Sequence, residues 1–118
     1  MAFAQSPGRR IALVVGNGAY TSNSLKNPPN DATDVAVALK ESGFEVSCVI
    51  DASLDAFESA VNSFAATLKG ADTGLFYYAG HGVAVEGSNY LIPVSPRIDD
   101  LASVKSRAVA VDMVVAKM

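Results

Sequence analysis

Three short runs of apolar, mostly branched or aromatic residues recur along the chain, with helix-like segments between them. The runs cover residues 11–15, 44–50 and 74–79. The run at residues 11–15 is apolar throughout, which is typical of a strand buried on both faces of a parallel sheet. Parallel neighbours need crossover connections, which the alternating helices supply. The sequence therefore predicts an α/β fold, a three-layer αβα sandwich with a mainly parallel sheet.

The two intervening segments repeat apolar residues at i, i+3, i+4 and i+7, as amphipathic helices do. Pro28-Pro29 should block helix upstream of the first, so Asn30 or Asp31 is its expected N-cap. Ser53 is the expected N-cap of the second. The predicted apolar stripes are Ala32, Val35, Ala36 and Leu39 on the first helix and Phe57, Val61, Phe64, Ala65 and Leu68 on the second.

The pattern changes after residue 81. Runs at 83–85 and 90–93 flank Glu86-Gly87-Ser88-Asn89, which predicts a β-hairpin rather than another crossover. A short apolar run follows at 108–111, and Asp112 is the expected cap of a helix that begins at Met113.

Composition excludes several classes of protein. The 118 residues fit one domain, and 50% hydrophobic with 18% charged residues is not a disordered or coiled-coil composition. A net charge of -3 argues against nucleic acid as a partner. One cysteine and one histidine exclude an internal disulfide framework and a Cys- or His-rich zinc site. No apolar run approaches the ~20 residues of a membrane helix.

The N-terminus suggests a processed leader. Ala2-Phe3-Ala4 before Gln5 is similar to the small-x-small end of a secretory signal, although an ordinary frayed terminus would fit as well. We therefore expect residues 1–9 to be a leader or signal remnant and residues 10–118 to form the domain. Export to the periplasm or the medium and a cytoplasmic location both stay open.

The segment Tyr77-Tyr78-Ala79-Gly80-His81-Gly82 carries the strongest chemical signal. It places the only histidine at the carboxyl end of a predicted strand, where open α/β folds bind ligands. Gly80 allows a sharp turn, and Gly82 allows a substrate carbonyl to approach a backbone N–H. An imidazole beside an oxyanion donor suits acyl transfer. An isolated histidine would be a simple turn residue, but the strand and both glycines favour a functional role.

With these segments in this order, the chain resembles the caspase-like cysteine peptidases, and most of all bacterial homologues of the metacaspase or orthocaspase kind. The resemblance extends from Arg10 to Met118. The segments that carry it are residues 12–17, Asn27-Pro28, Asn30-Asp31-Ala32, residues 43–46, residues 76–82 and residues 89–93.

The resemblance implies a Cys–His dyad in which His81 assists thiolate formation and protonates the leaving amine. It implies that Gly82 offers an oxyanion-hole N–H and that Asp31 lines a pocket for an Arg or Lys side chain before the scissile bond. Ala79 matches a pocket position where related sequences often have Ser, so a hydroxyl is missing there.

The nucleophile is not where the resemblance requires it. In caspases the histidine lies ~50 residues upstream of the catalytic cysteine, which falls beyond Met118. Cys48, on the predicted second strand, is expected to be a small core residue. We therefore expect an N-terminal portion of the domain that is truncated before the cysteine-bearing strand. Such a chain would be inactive alone and would need the missing C-terminal portion or a second chain.

Two weaker signals concern ligands. Asp99-Asp100 could contribute oxygen ligands to calcium, which some metacaspase relatives require, but a surface acidic pair is the preferred interpretation. No other cofactor or metal is expected. Gly16-Asn17-Gly18 lacks the spacing of a dinucleotide-binding loop, so that function is rejected.

The sequence leaves three functional hypotheses open. The first is a cysteine endopeptidase that cuts peptides or proteins after Arg or Lys. The second is a non-catalytic caspase-like module acting through protein partners. The third is a generic α/β binding domain without peptidase ancestry. The third strand should be central in the sheet, and if its far edge is uncovered it should promote self-association.

Overall fold

The computed structural model describes residues 8–118. It contains a parallel sheet of three strands, β1 (Arg10–Gly16), β2 (Glu45–Ile50) and β3 (Thr73–Ala79), in the order β2-β1-β3. The predicted parallel sheet is confirmed. The expectation that the third strand is central is wrong for the described residues. There β1 is central, flanked by a strand on each side, and its residues from Ile11 to Gly16 are buried.

The first helix, α1 (Asn27–Glu41), begins three to four residues before its predicted N-cap. The two prolines occupy its first turn, where a backbone N–H has no partner within the helix and proline costs nothing. The assignment of Asn30 or Asp31 as the N-cap is therefore wrong, because both lie within the helix.

The second helix, α2 (Leu54–Thr67), begins where the sequence predicts. The Ser53 hydroxyl oxygen accepts a hydrogen bond from the backbone N–H of Ala56 at 3.2 Å, as an N-cap does. The buried residues of α2 are Phe57, Val61 and Phe64, which belong to the predicted stripe.

The helices cover both faces of the sheet. On one face α1 packs Ala32 and Ala36 against Val14 of β1. On the other face α2 packs Phe57, Val61 and Phe64 in one cluster with Leu13 and Val15. The three-layer αβα arrangement is therefore confirmed.

A smaller antiparallel sheet follows β3. It consists of β4 (Gly82–Val85), β5 (Ser88–Leu91) and β6 (Val109–Ala110), in the order β4-β5-β6. The turn between β4 and β5 has positive φ at Glu86 (51°) and Gly87 (81°), as two-residue hairpins require. The hairpin predicted from the sequence is confirmed.

The C-terminal part of the chain closes the face covered by α2. A 3-10 helical turn (Leu101–Ser103) and α3 (Val104–Arg107) lead to β6, and α4 (Val111–Lys117) follows directly. Because α4 begins at Val111, Asp112 lies in its first turn and does not cap it, which corrects the predicted start at Met113. Val114 of α4 is buried in the same cluster as Phe57.

The predicted leader falls mostly on residues 1–7, which lie outside the described residues. Within residues 8–118, no helix combines the length and apolar character needed to cross a membrane.

Candidate functional site

The site lies at the carboxyl end of the parallel sheet, where the loop between β1 and α1 (residues 17–26) meets the turn between β3 and β4. A cleft of about 490 Å³ opens there. One side is lined by residues 20–23 of the loop and by His81 of the turn. The rest of the lining combines apolar residues such as Val83, Ile92 and Val104 with the charged segment 97–100.

The His81 imidazole is held by the loop between β1 and α1. Its Nε2 lies 2.7 Å from the backbone carbonyl oxygen of Asn23. A carbonyl only accepts hydrogen bonds, so Nε2 carries the hydrogen and donates it. In the neutral ring Nδ1 then has the free lone pair, which is the form a general base needs. The ring also contacts Tyr20, with centroids 4.4 Å apart.

Two tyrosine hydroxyls reach the backbone of the same turn. The Tyr20 hydroxyl accepts from the His81 N–H at 3.0 Å, and the Tyr78 hydroxyl donates to the His81 carbonyl at 2.7 Å. Burial raises the pKa of both tyrosines, so both hydroxyls stay protonated at neutral pH.

Asn17 and Asp51 fix the start of the loop. The Asn17 side chain is fully buried, and its Oδ1 accepts from the Ala52 N–H at 2.8 Å. One oxygen of the Asp51 carboxylate accepts from the N–H groups of Gly18 and Ala19, both at 2.9 Å. The loop that contacts His81 is therefore anchored to the carboxyl ends of β1 and β2.

Gly82 begins β4 opposite Leu91 of β5. The neighbouring pair is joined by a hydrogen bond from the Ile92 N–H to the His81 carbonyl at 3.0 Å. Hydrogen-bonded and non-hydrogen-bonded pairs alternate in antiparallel sheets, so the Gly82 N–H is directed away from β5. It is thus oriented outward on an exposed residue next to His81.

The two predicted pocket residues do not line this cleft. Asp31 is exposed on the second turn of α1. Ala79 is the last residue of β3, and its carbonyl accepts from the Asn17 N–H at 2.8 Å. The structure therefore brings His81 and Gly82 together at the sheet end and leaves Asp31 and Ala79 outside the cleft.

Cys48 is exposed on β2, so its expected place in the core is wrong. It lies opposite Val14, but β2 is an edge strand and the helices leave the thiol uncovered. Partial burial still raises the pKa of the thiol, although the charge of Lys40 opposes the shift. Cys48 is not among the residues that line the cleft with His81.

The acidic pair considered for calcium already has partners. Asp99 forms an ion pair with Arg97 at 2.7 Å. Asp100 accepts from the N–H and hydroxyl of Ser103, both at 2.9 Å, and these hydrogen bonds lower its pKa. From Gly8 to Met118, no three or more His, Cys, Asp or Glu residues are grouped so that they could hold a metal ion.

Sequence reasoning missed the residues that support His81. Asn17 belongs to the segment 12–17 that carries the family resemblance and to the rejected dinucleotide-binding loop, but the sequence predicts no supporting role for Asn17, Tyr20 or Asn23. A signal was present for Asn17, because a polar residue directly after a fully apolar strand must satisfy its amide when buried. Tyr20 and Asn23 carry no such local signal.

Comparison with known sequence families assigns the chain to a family. The sequence model of the family described as "Caspase domain" matches residues 9–115. The chain belongs to this caspase domain family, a family of peptidases, and a generic binding domain without peptidase ancestry is excluded.

Among curated proteins, the chain is similar to mucosa-associated lymphoid tissue lymphoma translocation protein 1 of Homo sapiens and to its homolog in Mus musculus. Each is 33% identical over 86 residues, which covers 72% of this chain and 10% of the relative. The chain thus spans about a tenth of the length of these relatives.

Proposed function

We propose that the protein containing this chain is a caspase-like cysteine endopeptidase and that His81 is its general acid and base. The observation that carries the proposal is the hydrogen bond from His81 Nε2 to the Asn23 carbonyl at 2.7 Å. That contact leaves Nδ1 free to exchange a proton with a reacting group, next to an open cleft. Membership of the caspase domain family supports the same chemistry.

In this proposal Nδ1 takes the proton of a cysteine thiol as the sulfur attacks the substrate carbonyl carbon. The carbonyl oxygen becomes an oxyanion, which the outward-directed Gly82 N–H stabilises. The C–N bond then breaks, the imidazolium returns the proton to the leaving amine, and water hydrolyses the thioester with His81 again as base. The thiol comes from a residue beyond Met118, since caspases place it ~50 residues after the histidine.

We also propose cleavage after Arg or Lys, with Asp31 as the charge partner and Ala79 beside it in the pocket. A carboxylate at this position would favour a basic side chain over an acidic one. Because Asp31 is outside the cleft that His81 lines, the substrate must extend from His81 toward the start of α1. A metacaspase or orthocaspase affiliation belongs to this part of the proposal.

The test uses the full-length protein with fluorogenic peptides that carry Arg, Lys or Asp before the scissile bond. We expect cleavage after Arg and Lys, and His81→Ala should reduce kcat/KM by roughly 10²–10⁴-fold. Asp31→Asn should lower kcat/KM for the basic peptides selectively. Cys48→Ser, which removes the only thiol of this chain, should leave activity unchanged.

Two results would count against the proposal in different ways. Cleavage after Asp alone would refute the basic pocket and leave the peptidase intact. No cleavage by a protein that does contain the downstream cysteine, or full activity of His81→Ala, would refute the peptidase.

A non-catalytic caspase-like module is the second candidate, favoured by the position of the thiol in this chain. Cys48 lies on β2, separated from β3 by β1, so residues 8–118 place no thiol at His81. The discriminating observation is the sequence ~50 residues after His81. A cysteine there, after an apolar strand, supports the enzyme, whereas another residue type supports a module that binds protein partners.

A further inference from the structure

The backbone pairing at His81 is irregular. Ile92 donates its N–H to the His81 carbonyl at 3.0 Å, as in an ordinary antiparallel pair. The return hydrogen bond would run from the His81 N–H to the Ile92 carbonyl. Instead the His81 N–H donates to the Tyr20 hydroxyl at 3.0 Å, and that hydroxyl donates to the Ile92 carbonyl at 2.8 Å. The Tyr20 hydroxyl therefore lies between the two backbone groups and replaces their direct hydrogen bond.

A second hydroxyl completes the arrangement. Tyr78 Oη lies 2.7 Å from the His81 carbonyl oxygen, 3.0 Å from the Ile92 carbonyl oxygen and 3.1 Å from Tyr20 Oη. It has one proton to donate, and its shortest distance is to His81. Both polar backbone groups of His81 are therefore bonded by tyrosine hydroxyls, one from the β1–α1 loop and one from β3.

Gly80 provides the space for these hydroxyls. A Cβ at this position would lie 2.5 Å from Tyr78 Oη and 2.8 Å from Tyr20 Oη. Those separations are too short for a carbon and an oxygen, so any larger residue would push the hydroxyls away from the His81 backbone. The hydrogen bonds of the two tyrosines to His81 therefore require glycine at position 80.

We propose that Tyr20 and Tyr78 are positioning residues whose hydroxyls set the backbone of His81 and, through it, the place of the imidazole in the cleft. This inference rests on the proposed function, since it assigns the pair a role in His81 chemistry. The loop that carries Tyr20 also carries Asn23, so one segment orients both the backbone and the ring of His81. Burial raises the pKa of both hydroxyls, which keeps their protons in place at neutral pH.

The first test is spectroscopic and independent of peptidase activity. Because the chain has one histidine, its imidazole signals in an NMR spectrum are unambiguous. In the 118-residue chain, Tyr20→Phe should raise the exchange rate of the His81 amide at least about tenfold. Tyr20→Phe and Tyr78→Phe should each broaden the Nε2–H resonance. Tyr77→Phe is the matched control, because Tyr77 packs on the α1 face of the same strand and should change neither signal.

The second test is kinetic and uses the full-length protein. Tyr20→Phe should lower kcat about tenfold with little change in KM, because substrate still binds while the imidazole is misplaced. Tyr78→Phe should have a smaller effect, since the Ile92 N–H still holds the His81 carbonyl. Tyr77→Phe should retain the kcat of the parent protein.

The outcomes separate the two proposals. Unchanged His81 amide exchange and Nε2–H signals in both variants would overturn the positioning role, whatever the enzyme does. Altered signals with a kcat equal to that of Tyr77→Phe would also overturn it. Full activity of His81→Ala would instead refute the peptidase proposal on which the kinetic test depends.

Discussion

At the scale of single residues, Asn17 links three segments of the chain. Its side chain accepts from the Ala52 N–H at 2.8 Å and donates to the Ile92 carbonyl at 3.3 Å, and its own N–H donates to Ala79. Asn17 is fully buried, so its removal would leave partners without hydrogen bonds in the interior.

We predict that Asn17→Ala lowers the free energy of unfolding by about 2–4 kcal/mol, through one or two unsatisfied buried groups. Urea denaturation measures the change. The control is Asn30→Ala, an exposed residue of α1 whose loss should cost less than about 0.5 kcal/mol. Equal effects of the two substitutions would show that the buried amide does not hold the segments together.

Tyr78 should make the protein sensitive to alkaline pH. Burial raises its pKa above the ordinary value of about 10, so the folded state holds the proton more tightly than the unfolded chain. This stabilisation is fully present below pH ~10 and is lost as the pH rises further, when the unfolded chain ionises first.

We therefore predict that Tyr78→Phe flattens the fall of Tm between about pH 10 and pH 12, whereas Tyr77→Phe does not. Thermal denaturation followed by circular dichroism measures the profiles. A fall of Tm in Tyr78→Phe as steep as in the parent protein would contradict the assignment.

The sequence predicts His81 as a functional residue, but it does not predict Tyr20 and Asn23, which hold His81 in place. His81 could be found because it is the only histidine and glycines flank it at a strand end. Tyr20 and Asn23 contact it across 61 and 58 positions of sequence. No local spacing encodes such contacts, which exist only after the sheet brings the two loops together.

At the scale of elements, the Ser53 N-cap can be tested directly. Ser53→Ala removes the acceptor of the Ala56 N–H and should cost about 1 kcal/mol of stability. Ser63→Ala is the control, since Ser63 is exposed in the middle of α2 and alanine favours helix there. Urea denaturation measures the free energy of unfolding of both variants. A loss in Ser63→Ala as large as in Ser53→Ala would show that capping is not the cause.

Element boundaries were predictable where a side chain caps the helix and not where none does. Ser53 caps α2, and its start was predicted correctly. The N-caps of α1 and α4, Lys26 and Ala110, make no side-chain capping hydrogen bond. Those helices start where packing and prolines allow, so the nearby polar residues Asp31 and Asp112 were misleading signals.

At the scale of the whole molecule, the outer edge of β3 is unpaired among residues 8–118. An unpaired strand edge can form hydrogen bonds with another chain. We predict that the 118-residue chain self-associates with rising concentration, and that a longer chain including the following segment does so less. Light scattering measures both. A clean monomer of the 118-residue chain at high concentration would contradict this prediction.

The overall fold was more predictable than the cleft. The αβα layers follow from three largely apolar strand runs and two amphipathic helix stripes, which are local patterns. The strand order depends on how the strands pair across the sheet, and β1, buried from Ile11 to Gly16, occupies the centre. The cleft combines residues 20–23 with Ile92 and Val104, so its shape emerges only from the folded chain.

We propose that His81 activates a cysteine thiol that lies after Met118. The most direct measurement is intact-mass spectrometry of the full-length protein after treatment with an Arg-containing peptidyl chloromethyl ketone. We predict one adduct, on a cysteine after Met118, which is retained in Cys48→Ser and lost in His81→Ala. An adduct on Cys48, or equal labelling without His81, would contradict it.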